Sequence, residues 1–322
     1  MGEIWADYLD REFLEGQFQE WVEEGFVTGI TSNPAIFATA FQKPFYREQI
    51  RRLKGRGAKE IYEELAVGDI QRACDVLEPI FRESGGRTGY ASIEVDPNLI
   101  EDWKGTLDEG LRLWEKIGRP NLMIKVPANR AGYRAMEELS KRGINVNGTL
   151  VFSPSQAMET FEAIGKGRGK GVVSIFVSRF DRKLNSLLRE KGLAPDRVGL
   201  FNGIKIYNQL LELGTNQIRP LFASTGVKQS YLPKDYYFSS LNLPEGILTL
   251  PLDVIEYLRG KEELEEGFQF QTRHIDSFFS FLSPAGINLQ KVYQELFREG
   301  VEAFQNSFKS LLKGLKNEIE RV

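Results

Sequence analysis

A lysine interrupts an otherwise apolar run, Met123-Ile124-Lys125-Val126-Pro127. If the run is a strand, its side chains alternate between two faces, and Met123 and Lys125 share one of them. Entry into an apolar environment disfavours an ammonium and exposes the amine lone pair, which makes a nucleophile toward carbonyls. The chemistry such an amine supports is Schiff-base catalysis, in which a protonated imine is the electron sink for carbon-carbon cleavage. That chemistry needs proton carriers. Two carboxylates stand at comparable places, Asp7 after Ile4-Trp5-Ala6 and Glu94 within Ser92-Ile93-Glu94-Val95, and either suits general acid-base work. The bland alternative is an ion pair of Lys125 with Glu94 or Asp7. Lys205, in Gly203-Ile204-Lys205-Ile206, competes for the nucleophile's part.

Positioning these groups falls to short apolar runs rich in β-branched and aromatic residues. They recur at Ile4 to Ala6, Val27 to Thr31, Tyr90 to Val95, Leu122 to Val126, Ile144 to Phe152, Val172 to Val177, Pro220 to Ala223 and Ile247 to Leu250. Helical spacing lies between them: Leu99, Ile100, Trp103, Leu107, Leu111 and Trp114 repeat at three and four behind Pro97. Strand followed by helix implies a parallel sheet, because parallel neighbours need a crossover. Eight such units predict an α/β fold, a (β/α)8 TIM barrel with extra helices, in a single domain over residues 1–322. The stretch from Thr31 to Tyr90 is too long for one crossover. A helical insertion is expected there, at about 38–85, with Lys59 to Leu77 amphipathic. A second excursion runs from Gln229 to Pro244, and C-terminal packing helices are expected at about 288–318, where Val292, Leu296, Val301, Phe304, Phe308, Leu311 and Leu315 recur.

Barrel enzymes place their chemistry at the carboxyl ends of the strands. The runs here end in polar groups: Asp7; Thr31 and Asn33; Ser92 and Glu94; Lys125; Asn145, Asn147 and Thr149 on one parity; Ser174; and Ser224. One polar strand end means little, but the convergence of seven marks a site. Arg179, two residues after Val177, and Ser224-Thr225-Gly226-Val227-Lys228 supply a basic side chain, hydroxyls and a turn. Loops after late barrel strands commonly hold phosphate in this way. Three features are set aside. Gly165 to Lys170 matches no phosphate-loop spacing and precedes a strand, opposite the chemistry. Asn147-Gly148-Thr149 is a glycosylation sequon placed within a strand. His274 has no patterned partners.

Composition narrows the classes further. The 322 residues carry 42 basic and 45 acidic side chains, a formal charge of −3, so no global field draws nucleic acid or anionic membrane. A lone Cys74 and a lone His274 exclude a disulfide framework and a His-rich metal site. The first residues hold acids where a signal peptide carries bases, and no run approaches a membrane span. A cytoplasmic location is expected.

At these positions the sequence resembles transaldolase. The resemblance is carried, in order along most of the chain, by Trp5-Ala6-Asp7, by the segment from Gly29 to Phe37 containing Thr31-Ser32-Asn33-Pro34, and by Ser92-Ile93-Glu94-Val95-Asp96-Pro97. It continues through Ile124-Lys125-Val126-Pro127-Ala128, the segment from Gly143 to Ser153, the segment from Ser174 to Asp181, and Arg219-Pro220-Leu221-Phe222-Ala223-Ser224-Thr225. The second half is most similar to the subfamily reading Ala-Ser-Thr-Gly after the seventh strand.

The resemblance implies a (β/α) barrel that transfers a dihydroxyacetone unit from a ketose phosphate to an aldose phosphate in the pentose phosphate pathway. No metal or organic cofactor is implied, and the partners are small sugar phosphates, with the chain a monomer or homodimer. Lys125 would form the Schiff base and Asp7 would be the acid/base of cleavage. Glu94 with Thr149 would position the water of imine formation. Asn33 and Asn147 would bind the dihydroxyacetone hydroxyls, Thr31, Ser174 and Phe176 would line the substrate site, and Arg179 and Ser224 would take the phosphate.

Two departures stand out. Many members read Ser-Phe-Arg where this chain reads Ser224-Thr225-Gly226-Val227-Lys228, which leaves Lys228 as candidate for the second phosphate cation. Gly148 replaces a larger apolar residue, and looser packing is expected there. A fructose 6-phosphate aldolase relative would release free dihydroxyacetone, but such relatives tend to carry Gln for Glu94 and Tyr for Phe176. A catalytically silent sugar-phosphate-binding barrel would lack the lysine or its acids.

Overall fold

The computed structural model describes residues 1–214, 216–268 and 270–321. Eight strands form the ring: β1 (Glu3–Ala6), β2 (Gly29–Thr31), β3 (Tyr90–Glu94), β4 (Leu122–Pro127), β5 (Val146–Val151), β6 (Gly171–Phe176), β7 (Ile218–Ala223) and β8 (Ile247–Leu250). They pair in chain order as a closed barrel, with β8 returning to β1 in parallel. The chain folds as a (β/α)8 barrel, as its strand-helix alternation predicts.

Period-two alternation divides the apolar residues into two layers. Trp5, Tyr90, Met123, Val172, Leu221 and Ile247 pack with one another as one buried cluster inside the barrel. Ile4, Ile30, Ile93, Ile124, Val146, Ile175 and Leu248 belong to a second cluster, shared with the surrounding helices. At the entrance end Trp5 fills the interior because its strand neighbour is Gly29; a Cβ there would lie 2.4 Å from the indole. Glu3 closes that end through an ion pair with Arg219 at 2.7 Å.

Between β2 and β3 the chain forms helices Pro34–Ala40, Arg47–Arg52 and Ala58–Glu83. Asn33 caps the first, its Oδ1 accepting from the amides of Ala35 and Ile36. The excursion after β7 contains the short helix Tyr236–Leu241, and the chain's last element is one helix of 33 residues, Leu289–Arg321. This helix packs against Pro34–Ala40, Ala58–Glu83 and β5. No helix among the described residues is long and apolar enough to cross a membrane.

Gly148 does not loosen the packing as expected. A Cβ at this position would lie 2.2 Å from Thr160 Cγ2, so the helix Pro154–Gly165 occupies the space that a larger residue would need. Thr160 is fully buried and donates its hydroxyl to Gln156 O at 2.7 Å. We therefore expect Gly148→Ala to destabilise the chain by about 1–3 kcal/mol through overpacking. Thr160→Ser, which removes the colliding methyl and keeps the hydroxyl, should restore most of the loss in the double variant. Urea midpoints of the two single variants and the double variant test this, and additive losses would contradict it.

Candidate active site

Strand register brings the chemistry to one level. Glu94 is aligned with Lys125 across β3 and β4, and Lys125 with Asn147 across β4 and β5. All three point inward, because they share parity with the interior residues Tyr90, Met123 and Val172. Lys125 is 5 % exposed, as is Glu94. The lysine Nζ lies 3.6 Å from Glu94 Oε2 and donates to Ser32 O at 3.0 Å and to Thr31 Oγ1 at 3.4 Å. Both Glu94 oxygens and the Thr149 hydroxyl are buried with no hydrogen-bond partner. A carboxylate with open valences beside an amine forms a setting for moving protons on and off a bound carbonyl.

The barrel mouth holds a cavity of about 100 Å³ lined by Asp7, Thr31, Asn33, Lys125, Ser174, Phe176, Arg179, Leu221, Ala223, Ser224, Thr249 and Phe304. A roomier groove of about 610 Å³ lies on the outside between helices Gln17–Glu23 and Ala58–Glu83, against Leu14, Arg72 and Pro79. It contains none of the strand-end polar groups, so the smaller cavity is the candidate site. Burial raises the Asp7 carboxyl above its usual range, with Lys125 pulling the other way. Burial likewise pushes Glu94 up to about 7, against the pull of Lys125 and Arg179 and with a further push from Asp7. Desolvation thus outweighs attraction at both acids.

Also on the cavity lining, Arg179 lies in the first turn of the helix Ser178–Glu190, its guanidinium 5.2 Å from the Phe176 ring centre. Burial lowers its pKa, and the neighbouring Arg182 adds to the effect. The Ser178 amide donates to Ser224 O, and the two hydroxyls lie 3.0 Å apart. A guanidinium, a helix amino end and two hydroxyls together suit a phosphate.

Other predicted residues stand farther back. Asn147 is tied into the wall, donating to Ser92 Oγ at 3.1 Å and accepting from Ser174 Oγ at 2.6 Å. Thr149 and Glu94 are not part of the cavity lining. Lys228 is exposed and outside the lining. Asn145 bonds Pro120 O and Leu122 O at the entrance end of the barrel. The competing Lys205 lies on the outer helix Val198–Leu213 and pairs with Asp276 at 2.7 Å, so it has no access to the cavity. Sequence reasoning missed Thr249 and Phe304. Thr249 carried a signal, since it alternates with Leu248 and Leu250 in the eighth run. Phe304 carried none beyond its place in an amphipathic helix.

Fold and site together define a closed barrel with a buried lysine, two acids raised by burial, and an arginine and a serine on the lining of the same cavity. The family model for transaldolase/fructose-6-phosphate aldolase matches residues 4–315. A transaldolase of Campylobacter jejuni subsp. doylei is 38 % identical, covering 97 % of this chain and 98 % of its own. One from Helicobacter pylori is 39 % identical, with 96 % and 98 % covered. The chain belongs to the transaldolase/fructose-6-phosphate aldolase family.

A carboxyl with a pKa near 7 acts as a base only in its unprotonated form. The rate of adduct formation at Lys125 should therefore rise as pH climbs through about 7 and flatten above it. Initial rates of borohydride-trapped adduct with a ketose phosphate, measured from pH 5.5 to 8.5, test this. The limb should vanish in Glu94→Gln; its persistence would assign it to another group.

Proposed function

We propose that this chain is a transaldolase. It transfers a dihydroxyacetone unit from sedoheptulose 7-phosphate or fructose 6-phosphate to glyceraldehyde 3-phosphate or erythrose 4-phosphate. The observation that carries this reading is the placement of Lys125 Nζ in a closed-in cavity, 3.6 Å from a carboxylate and with Arg179 and Ser224 on the same lining. The amine of Lys125 adds to the ketone of the donor. Loss of water gives the iminium, with Glu94 and Thr149 holding the water that carries protons between nitrogen and oxygen.

Asp7 then takes the proton of the C4 hydroxyl, the C3–C4 bond breaks, and its electron pair enters the iminium as an enamine. An acid raised by burial, as Asp7 is, accepts a proton readily. The first aldose phosphate leaves, the enamine carbon attacks the acceptor aldehyde, and Asp7 returns the proton to the new hydroxyl. Hydrolysis frees Lys125. Thr31, Asn33, Asn147, Ser174 and Phe176 shape the site around the three-carbon unit, Arg179 and Ser224 bind the phosphate, and Lys228 is the candidate second cation, swinging in from its exposed position.

Release of free dihydroxyacetone is the less favoured outcome, because the chain carries Glu94 and Phe176 rather than Gln and Tyr, and its full-length relatives are transaldolases. In this reading the chain acts in the cytoplasm as one domain, a monomer or homodimer, within the pentose phosphate pathway.

Borohydride reduction in the presence of fructose 6-phosphate should leave a covalent adduct on Lys125 by peptide mass mapping, and none in Lys125→Ala. An adduct on Lys205 would overturn the assignment. Asp7→Ala should still trap ketose yet turn over at least about a hundredfold more slowly, and unimpaired turnover would remove Asp7 from the mechanism.

A further inference from the structure

The cavity is roofed by a residue that lies 179 positions beyond the lysine it covers. Phe304, on the helix Leu289–Arg321, lines the cavity, is 7 % exposed, and has its ring centre 5.9 Å from Lys125 Nζ. The helix is fixed on both sides of the mouth. On one side Lys183, from the helix after β6, pairs with Glu295 at 2.9 Å and with Glu299 at 2.6 Å. On the other, Gln305 Nε2 donates to Pro97 O, just after β3, at 3.2 Å. One turn before Phe304, Gly300 lets the helix settle onto the barrel, since a Cβ there would lie 2.9 Å from Leu150 and 3.2 Å from the Arg179 guanidinium.

We infer that Phe304 is a specificity-determining residue: its ring keeps water from the enamine on Lys125, so that the three-carbon unit waits for an acceptor instead of being discharged. The inference rests on the transaldolase reading and concerns a choice within it. After cleavage the enamine has two fates. In transfer, its carbon attacks the acceptor aldehyde. In discharge, the same carbon takes a proton, which gives the iminium of dihydroxyacetone. Water then adds to the iminium carbon, the carbon-nitrogen bond breaks, and Lys125 is restored with free dihydroxyacetone as product. The water consumed equals the water lost when the imine formed, so no further reactant is needed. Discharge begins with a proton delivered from solvent to the enamine carbon, a step that transfer does not need, and an apolar ring over the nitrogen side of the cavity opposes it.

The test compares dihydroxyacetone release from fructose 6-phosphate alone with transfer to erythrose 4-phosphate. Phe304→Ala should raise the ratio of release to transfer by about tenfold or more. Phe304→Leu, which keeps an apolar roof, should stay close to the parent ratio. Phe308→Ala supplies the structural control: Phe308 is on the same helix one turn on, packs edge-on against Tyr62 at 5.3 Å, and is outside the cavity lining. It should lower thermal stability without moving the ratio. An unchanged ratio in folded Phe304→Ala, or an equal rise in Phe308→Ala, overturns the inference while transfer by the parent enzyme stands. A parent enzyme that performs no transfer overturns the underlying reading and this inference with it.

Discussion

A lysine and two carboxylates are costly to take out of water one at a time and far less costly to take together. Each isolated charge loses hydration that a low-dielectric interior does not replace, and only close opposite charge or hydrogen bonds recover it. Lys125 has partial recovery on both counts, with Glu94 at 3.6 Å and two oxygen acceptors from the end of β2. Glu94 has only the charge, for neither oxygen is hydrogen-bonded. Its carboxyl therefore rises to about 7 despite the neighbouring lysine. The barrel enforces this compromise. Parallel strands in fixed register hold the two side chains level, and the surrounding strands leave neither a way back to solvent.

Much of that arrangement was legible in the chain because strand parity is written in the sequence. Lys125 between Ile124 and Val126, and Glu94 between Ile93 and Val95, announce inward polar groups once the runs are read as strands. Parity gives a face, however, and not a depth. Asn145 and Asn147 share a face, yet the first bonds carbonyls at the entrance end while the second belongs to the wall of the site. Nor does local pattern separate strand from helix in a short run. Gly203-Ile204-Lys205-Ile206 looks much like the run around Lys125, but it lies inside a sixteen-residue helix, and its lysine pairs with Asp276.

What stayed hidden depends on contacts between distant segments. Phe304 occupies an ordinary apolar position of an amphipathic helix, and only docking of that helix across the mouth turns it toward Lys125. Gly148 reads as a loss of packing volume until Thr160 is found in the vacated space. Backbone irregularity was equally silent. The register of β5 against β6 shifts between Gly148 and Val151, and Leu150 within that shift has φ 57°. Ser224, at the end of β7, has φ 55°. Neither residue is the glycine that left-handed backbone favours, and such positions cost of order 1–3 kcal/mol each. Gln156 supports the first by donating to Leu150 O at 3.3 Å and Ala128 O at 2.9 Å. Strain at two strand ends, one after Thr149 and one on the cavity lining, is maintained by the packing around it.

The charge arrangement also suits a Schiff-base cycle. Lys125 stands beside a carboxylate, and an iminium formed on it would carry its positive charge at nearly the same place. The field of an ionised Glu94 would then stabilise that intermediate without any rearrangement of the strands, which is the condition under which preorganised electrostatics lower a barrier most. Asp7 follows β1 and lies at the cavity itself, where cleavage would move a proton rather than hold a charge. Two acids raised by the same cause, burial, would thus serve different demands. The one beside the nitrogen would pass protons through water during imine formation; the other would meet the substrate hydroxyl and change its protonation twice in each turnover.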